Sequence, residues 1–281
     1  MKVTFIGVGA IGLPMALKIQ EAGHDVTGVD VSDAVIANAK SQGIETVRHL
    51  SDAPAADAVV VMVATPEQLG GLVGRTGREV ENQLWIIMST VGPESVRAQG
   101  AILQRAGARV VDAPVTGGVA RARTGELAIF ASGAPADVFS ATPVLEAMGT
   151  VRVTGQRLGD GQGIKVVNQH LCAVHIVAAA EALNLARSLG LDPSTVLKLV
   201  ESGAAGSWML SDRGPRMVAG NDVEVTSAID IFVKDSGLVA SAGAACGAQL
   251  PLLAIAHERF CRAARLGLGR RDDSRVIETW S

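Results

Sequence analysis

Tyrosine is absent from this chain of 281 residues, and aromatic residues as a whole make up 3%. The apolar mass is therefore Ala, Val, Leu and Ile, which suits closely packed α/β and helical layers. Cysteine is almost as scarce. Cys172, Cys246 and Cys261 are odd in number and show no C-x-x-C spacing, which excludes a disulfide framework and a zinc site as first readings. Reduced thiols in a cytoplasm are expected instead. No basic block occurs and the net charge is -3, so nucleic acid is not the expected partner. No acidic cluster accompanies His170 or His175, so no metal is expected. Internal repeats and low-complexity linkers are missing too. Met1 and Lys2 lead straight into an apolar strand, which does not fit a signal peptide.

Hydrophobic residues make up 48% and charged residues 19%, enough for a sizeable core, and the length suits two domains. Residues 166–186 are long enough on paper to cross a bilayer. They carry Asn168, Gln169, His170, His175, Glu181 and Asn184, so a buried helix linking two domains is expected rather than a membrane span.

The chain opens on a β-branched run, residues 2–6, followed at once by Gly7-Val8-Gly9-Ala10-Ile11-Gly12. Residues 13–22 read as a helix stopped by Gly23, and residues 25–30 as a second strand. This is a βαβ start with G-x-G-x-x-G where a dinucleotide fold needs it. The first glycine permits the tight turn. The second lets a pyrophosphate approach the backbone, and the third lets helix and strand pack closely. The helix N-terminus then offers free N–H groups and a positive dipole end. Asp30 closes the second strand and would accept hydrogen bonds from the adenosine ribose. Its carboxylate would repel a 2′-phosphate, and no Arg follows within several residues, so NAD is expected over NADP.

Residues 32–41 read as a helix, and 57–63 as a Val-rich strand buried on both faces of a parallel sheet. Val63, Ala64, Thr65 and Pro66 leave its C-terminal end, where ligands bind in open α/β sheets. A strand at 84–88 ends in Ser89-Thr90, Pro93 opens a helix to about 106, and 108–112 is another strand. Asp112-Ala113-Pro114-Val115-Thr116-Gly117-Gly118 follows. This stretch reads either as a nest of N–H groups for a carboxylate or as a simple turn into residues 119–123. Segments 127–132, 136–148 and 151–154 finish the first domain.

Gly159-Asp160-Gly161-Gln162-Gly163-Ile164-Lys165 then leads into more than two dozen residues without a break. On a helix, Lys165, Asn168, Gln169 and Cys172 share one face at i, i+3, i+4 and i+7. An ammonium and two amides on an apolar rod mark this stretch as the carrier of the chemistry. Beyond it, strand-like alternation stops. Asp192-Pro193 reads as an N-cap with proline at N1. Helices are expected near 193–201, 207–218, 228–246 and 251–266, with a short tail helix holding Val276 and Trp280. Asp222 and Glu224 read as loop charges. Lys234-Asp235 reads either as a surface ion pair or as a lysine reaching toward the site.

These motifs resemble the β-hydroxyacid dehydrogenase family, which includes 3-hydroxyisobutyrate dehydrogenases. The resemblance rests on the glycine loop through Ala16, on Ser89-Thr90-Val91-Gly92-Pro93, on Asp112 to Gly118, on Gly161 to Gln169, and on Phe232-Val233-Lys234-Asp235. It implies an NAD-binding Rossmann domain over residues 1–160 with a mainly parallel sheet. An all-helical substrate and dimerisation domain over 161–281 would follow, the interdomain helix spanning about 161–190. By this resemblance Lys165 is the catalytic lysine, and Thr116, Gly117 and Gly118 hold the substrate carboxylate. Asn168 and Gln169 orient the substrate. Gly7, Gly9, Ala10, Ile11, Gly12, Asp30, Val63, Ala64, Thr90 and Lys234 lie against the cofactor. The chain departs from the family pattern at Thr116 (usually Ser), Gln169 (commonly Asn) and Val63-Ala64 (usually Leu-Pro).

The second half resembles the branch that oxidises the C2 hydroxyl of L-threonate with NAD, although that branch commonly has His where Asn168 stands. The implied reaction removes a hydride from a carbinol carbon while Lys165 accepts the hydroxyl proton. Burial and a cationic nicotinamide would both favour the neutral amine that this requires. Activity of the 3-hydroxyisobutyrate dehydrogenase or tartronate semialdehyde reductase type is the alternative. A non-catalytic NAD-binding scaffold is the alternative of another class. A homodimer or homotetramer is expected.

Overall fold

The computed structural model describes residues 1–76, 80–220 and 223–280; Asp222, read above as a loop charge, lies outside them. Packing divides the chain into two compact units, Met1–Lys165 and Val166–Ser281.

The first unit alternates strand and helix: β1 (Lys2–Ile6), α1 (Gly12–Glu21), β2 (Asp25–Val29), α2 (Asp33–Ser41), β3 (Thr46–Val47), β4 (Ala58–Val61) and α3 (Pro66–Val73). It continues with β5 (Leu84–Ile87), α4 (Pro93–Arg105), β6 (Arg109–Asp112), β7 (Val115–Thr116), α5 (Gly118–Thr124), β8 (Leu127–Gly133), α6 (Pro135–Glu146) and β9 (Gly149–Gly155). One sheet runs β3-β2-β1-β4-β5-β6-β8-β7, with β9 paired to β8. Pairing is parallel from β3 through β6. The chain turns back at β8, which runs antiparallel to both β6 and β7. Every residue of β4 and β5 is buried, as continuous apolar runs between two helical layers require. Apolar clusters cover both faces, one around Phe5, Met15 and Ile86, the other around Val59, Trp85 and Leu103.

Among the elements that escaped the sequence reading are β3, β7 and α3. The strands β3 and β7 are two residues each, too short for a periodic signal. The helix α3 does carry one: Thr65 and Gln68 form a reciprocal capping box with Pro66 at the first position.

A single helix, α7 (Asp160–Ser188), begins in the first unit and continues into the second. One of its 18-residue windows has mean hydropathy 1.3, which by length and composition alone would also suit a membrane span. In the structure its Ala173, Ile176, Ala180 and Leu183 are buried in the second unit's core. That unit adds α8 (Pro193–Val200), α9 (Trp208–Val218), α10 (Ile229–Cys246) and α11 (Pro251–Ala263). Phe232 of α10 stacks on Phe260 of α11 with ring centroids 5.0 Å apart. The tail over Asp273–Trp280 is a 3₁₀ helix that buries Val276 and Ile277.

Charge pins this tail to α9. Arg213 donates to both carboxylate oxygens of Asp273 at 2.9 Å, and Arg216 donates to Asp272 at 3.0 Å. Both aspartates are fully buried. Breaking a buried pair leaves an uncompensated charge, which costs about 3–5 kcal/mol. Asp273→Ala is therefore expected to lower unfolding stability by about that amount, measured in urea, whereas Asp33→Ala on the exposed surface should cost less than about 1 kcal/mol.

Candidate active site

The glycine loop connects β1 to α1. Gly7 has φ +90°, and a Cβ there would lie 2.4 Å from the Met62 carbonyl oxygen. A Cβ on Gly12 would lie 1.9 Å from the Gly7 carbonyl oxygen, so only glycine lets α1 start this close to β1. At Gly9 a Cβ would meet nothing within 4 Å. The backbone there borders open space that a side chain would fill, and α1 has no side-chain cap over its first amides. Bare backbone beside an uncapped helix start suits a pyrophosphate. Gly7, Gly9, Asp30, Val63 and Ala64 line one cavity, and Ala10 and Ile11 continue the loop.

Asp30 sits at the end of β2, where its carboxylate accepts from the Ser32 amide at 3.0 Å. Arg48, too far along the sequence from Asp30 to register as its neighbour, lines the same cavity. The register Val29↔Val47 brings the end of β3 alongside the end of β2. Arg48 donates to the Val31 carbonyl at 2.8 Å and pairs with Asp33. Asp33 is 88% exposed, so that pairing is weak.

The start of α7 is fastened to three strand ends through one carboxylate and one amide. Asp112, the last residue of β6, is fully buried. Its Oδ2 accepts from the Gly159 amide at 3.0 Å, the Gln162 amide at 3.0 Å and the Ser132 hydroxyl at 3.2 Å. The Ser132 oxygen in turn accepts from the Gly161 amide at 2.9 Å. Gly159 cannot cap its own helix, so a carboxylate from 47 residues earlier does so. The Gln162 side chain donates to Asp112 Oδ1 at 3.0 Å and to the Ser89 carbonyl at 2.9 Å. Its Oε1 accepts from the Val91 and Gly92 amides, both at 3.0 Å. Thr90 is thus bracketed by two residues whose backbone Gln162 holds. Lys165, one turn beyond Gln162, is 6% exposed.

Thr116 ends β7, opposite Ala128 of β8. Gly117 (φ +133°) and Gly118 (φ +67°) turn the chain from β7 into α5, so the expected turn into a helix is present. A Cβ on Gly118 would meet nothing within 4 Å.

In the second unit, Asn168 donates to Gln169 Oε1 at 2.9 Å and to the Cys172 sulfur at 3.3 Å. Gln169 donates to Asp235 Oδ2 at 2.5 Å. Lys234 Nζ lies 2.7 Å from Asp235 Oδ1. Asp235 is 4% exposed, so the reading of Lys234-Asp235 as a surface pair is wrong. The sequence reading did not include Asp235 among the site residues, although it joins the two motifs. Among the described residues no three His, Cys, Asp or Glu side chains gather as a metal site.

Comparisons with known proteins agree with this geometry. Residues 2–159 match the NAD binding domain of 6-phosphogluconate dehydrogenase, and residues 159–280 match a domain described as NAD-binding of NADP-dependent 3-hydroxyisobutyrate dehydrogenase. The chain is 37% identical to an L-threonate dehydrogenase of Cupriavidus necator, over 97% of this chain and 94% of that one. It is 35% identical to an L-threonate dehydrogenase of Escherichia coli, over 99% and 94% respectively. A crystal structure of 3-hydroxyisobutyrate dehydrogenase from Salmonella typhimurium superposes with a TM-score of 0.89 at 31% identity, covering 99% of each chain.

Two expected outcomes follow from the geometry. Burial pushes Asp112 up from 3.8 to about 6, against the hydrogen bonds from Gln162, Ser132 and Gly159 that pull it down. The folded chain then holds the proton more tightly than the unfolded one, so this group's contribution to stability is lost as pH rises from about 4 to 6. Asp112→Asn should remove that slope, and the wild-type minus variant difference should change by roughly 3 kcal/mol or less across the window, read from urea unfolding at each pH. At the cofactor end, Asp30→Ala should weaken NAD binding roughly 10- to 100-fold through lost charge-assisted hydrogen bonds. The same change should strengthen NADP binding, because Arg48 is then the dominant charge; Arg48→Ala in that background should reverse the gain, measured by titration calorimetry.

Proposed function

The chain belongs to the β-hydroxyacid dehydrogenase family and is an NAD-dependent dehydrogenase of hydroxy acids, and from that premise we propose that it oxidises L-threonate at C2 with Lys165 as the general base. The observation that carries this reading is the match along nearly the whole chain to L-threonate dehydrogenases, together with a buried lysine one turn beyond the fastened start of α7. Bound NAD supplies the hydride acceptor. The glycine loop from Gly7 to Gly12 (with Ala10 and Ile11) cradles its pyrophosphate, Asp30 holds its ribose, and Val63, Ala64, Thr90 and Lys234 border it.

Thr116, Gly117 and Gly118 receive the substrate carboxylate through a hydroxyl and backbone amides. Lys165 Nζ takes the hydroxyl proton as the C–H electron pair leaves with the hydride, and the carbinol becomes a carbonyl. In the reverse direction the ammonium returns the proton. Asn168 orients the remaining hydroxyls. Gln169, bonded to both Asn168 and Asp235, sets the orientation of the Asn168 amide.

A 3-hydroxyisobutyrate-type substrate is the second reading, favoured by the structural likeness to a 3-hydroxyisobutyrate dehydrogenase; a tartronate semialdehyde reductase-type activity belongs to the same group. A scaffold without turnover would have no use for a lysine buried at this position. Exposed Leu171 and Leu185 on α7 and Leu189 just beyond it support assembly as a homodimer or homotetramer. The free thiols suit a reducing cytoplasm.

The test is NAD reduction followed by absorbance against L-threonate, D-erythronate, D-glycerate and 3-hydroxyisobutyrate. L-threonate should give the highest kcat/KM. Lys165→Ala should lower kcat by about 10²–10⁴-fold with NAD binding retained. Preference for another acid would move the substrate, and normal turnover in the variant would remove Lys165 from the mechanism.

A further inference from the structure

We propose that Gln162, oriented by Asp112, is a positioning residue that sets Lys165 in register with the cofactor-binding loop around Thr90. The inference rests on Lys165 being the general base.

The Gln162 amide has two donor hydrogens and two acceptor lone pairs. All four are used: the donors on Asp112 Oδ1 and the Ser89 carbonyl, the acceptors on the Val91 and Gly92 amides. Gln162 has no exposed surface. A flipped amide would set donor against donor at Val91 and Gly92 and oxygen against oxygen at Asp112 and Ser89. In a dry site such mismatches are costly, so one orientation is enforced. Asp112 strengthens that choice from the other side, because its carboxylate also accepts the first-turn amides of α7 and meets the positive end of the helix dipole.

The bonds to Ser89, Val91 and Gly92 all concern the loop at the end of β5. Thr90 lies inside that loop, and Lys165 lies three residues along the helix from Gln162. One side chain therefore ties the loop expected against the cofactor to the turn that carries the base. Hydride and proton leave adjacent atoms of one substrate, so their two acceptors must be in register. A displacement of about 1 Å at such a point costs roughly 10²-fold in rate.

A merely structural role would lower stability without coupling to Lys165, and a double-mutant cycle separates the two. Gln162→Met keeps the volume, deletes all four bonds and leaves the Asp112 cap on α7. We expect kcat to fall about 10²-fold. The melting temperature and the calorimetric Kd for NADH are recorded for every variant, and the Kd should stay within roughly threefold. In the Lys165→Ala background, Gln162→Met should slow the residual turnover by less than about threefold, because there is no base left to position. Wild-type kcat in Gln162→Met, or full loss again in the Lys165→Ala background, would overturn the positioning role while leaving Lys165 as the base. Normal turnover in Lys165→Ala alone would overturn the base and the positioning role together. Asp112→Asn, which keeps the shape and loses one acceptor, carries the same cycle if Gln162→Met does not fold.

Discussion

A single carboxylate at the N-terminus of a long helix governs the geometry of the first unit. Asp112 is out of water, which costs free energy for a charged group, and it is tolerated there because four hydrogen-bond donors converge on it. Amides of Gly159 and Gln162, the Ser132 hydroxyl and the Gln162 side chain surround it. Through them the ends of β5, β6 and β8 are joined to the first turn of α7. Each of these strands delivers a segment with a proposed chemical duty or a fastening: the Thr90 loop, the path to Thr116 and Ser132. The sheet places those segments near one another, and the buried polar network fixes their spacing to the helix that bears Lys165.

The second unit repeats the strategy with a different partner set. Asp235 gathers Lys234 and Gln169, and Gln169 holds Asn168. Asp272 and Asp273 hold α9 through Arg216 and Arg213. A chain with few aromatic residues has few large, shape-determining side chains in its core. Buried charge and amide networks supply directional constraints that packing of Ala, Val and Leu leaves loose.

Much of this was legible in the sequence because the signals were local. The glycine loop, the Val-rich β4 and the unbroken run of α7 each declare themselves within a few residues, and five motifs in order specified the family. The partners lay elsewhere. Asp112 was legible only as the start of a glycine-bearing loop, since nothing nearby reveals that it caps a helix 47 residues later. Arg48 was missed because its approach to Asp30 depends on a two-residue strand. For Lys234-Asp235 the sequence left a surface pair and a lysine reaching toward the site equally open, because adjacent opposite charges are usually exposed; only the burial of Asp235 against Gln169 decides against the surface pair. Local patterns give elements, whereas contacts across long sequence separations need the sheet register.

Gly159, Gly161 and Gly163 look alike on the page, a spaced trio that suggests a pliable joint. Space around them says otherwise. A Cβ at Gly161 would sit 2.3 Å from the Phe130 carbonyl oxygen and 3.0 Å from Asp112 Oδ2, whereas one at Gly163 would meet nothing within 4 Å. Gly161 is therefore a place of contact rather than of give, and it lets the helix backbone come close enough to be held. Gly163 carries no such burden. In a lineage drifting under selection for turnover, the first should stand still and the second should wander, so that two identical letters two positions apart would leave opposite records.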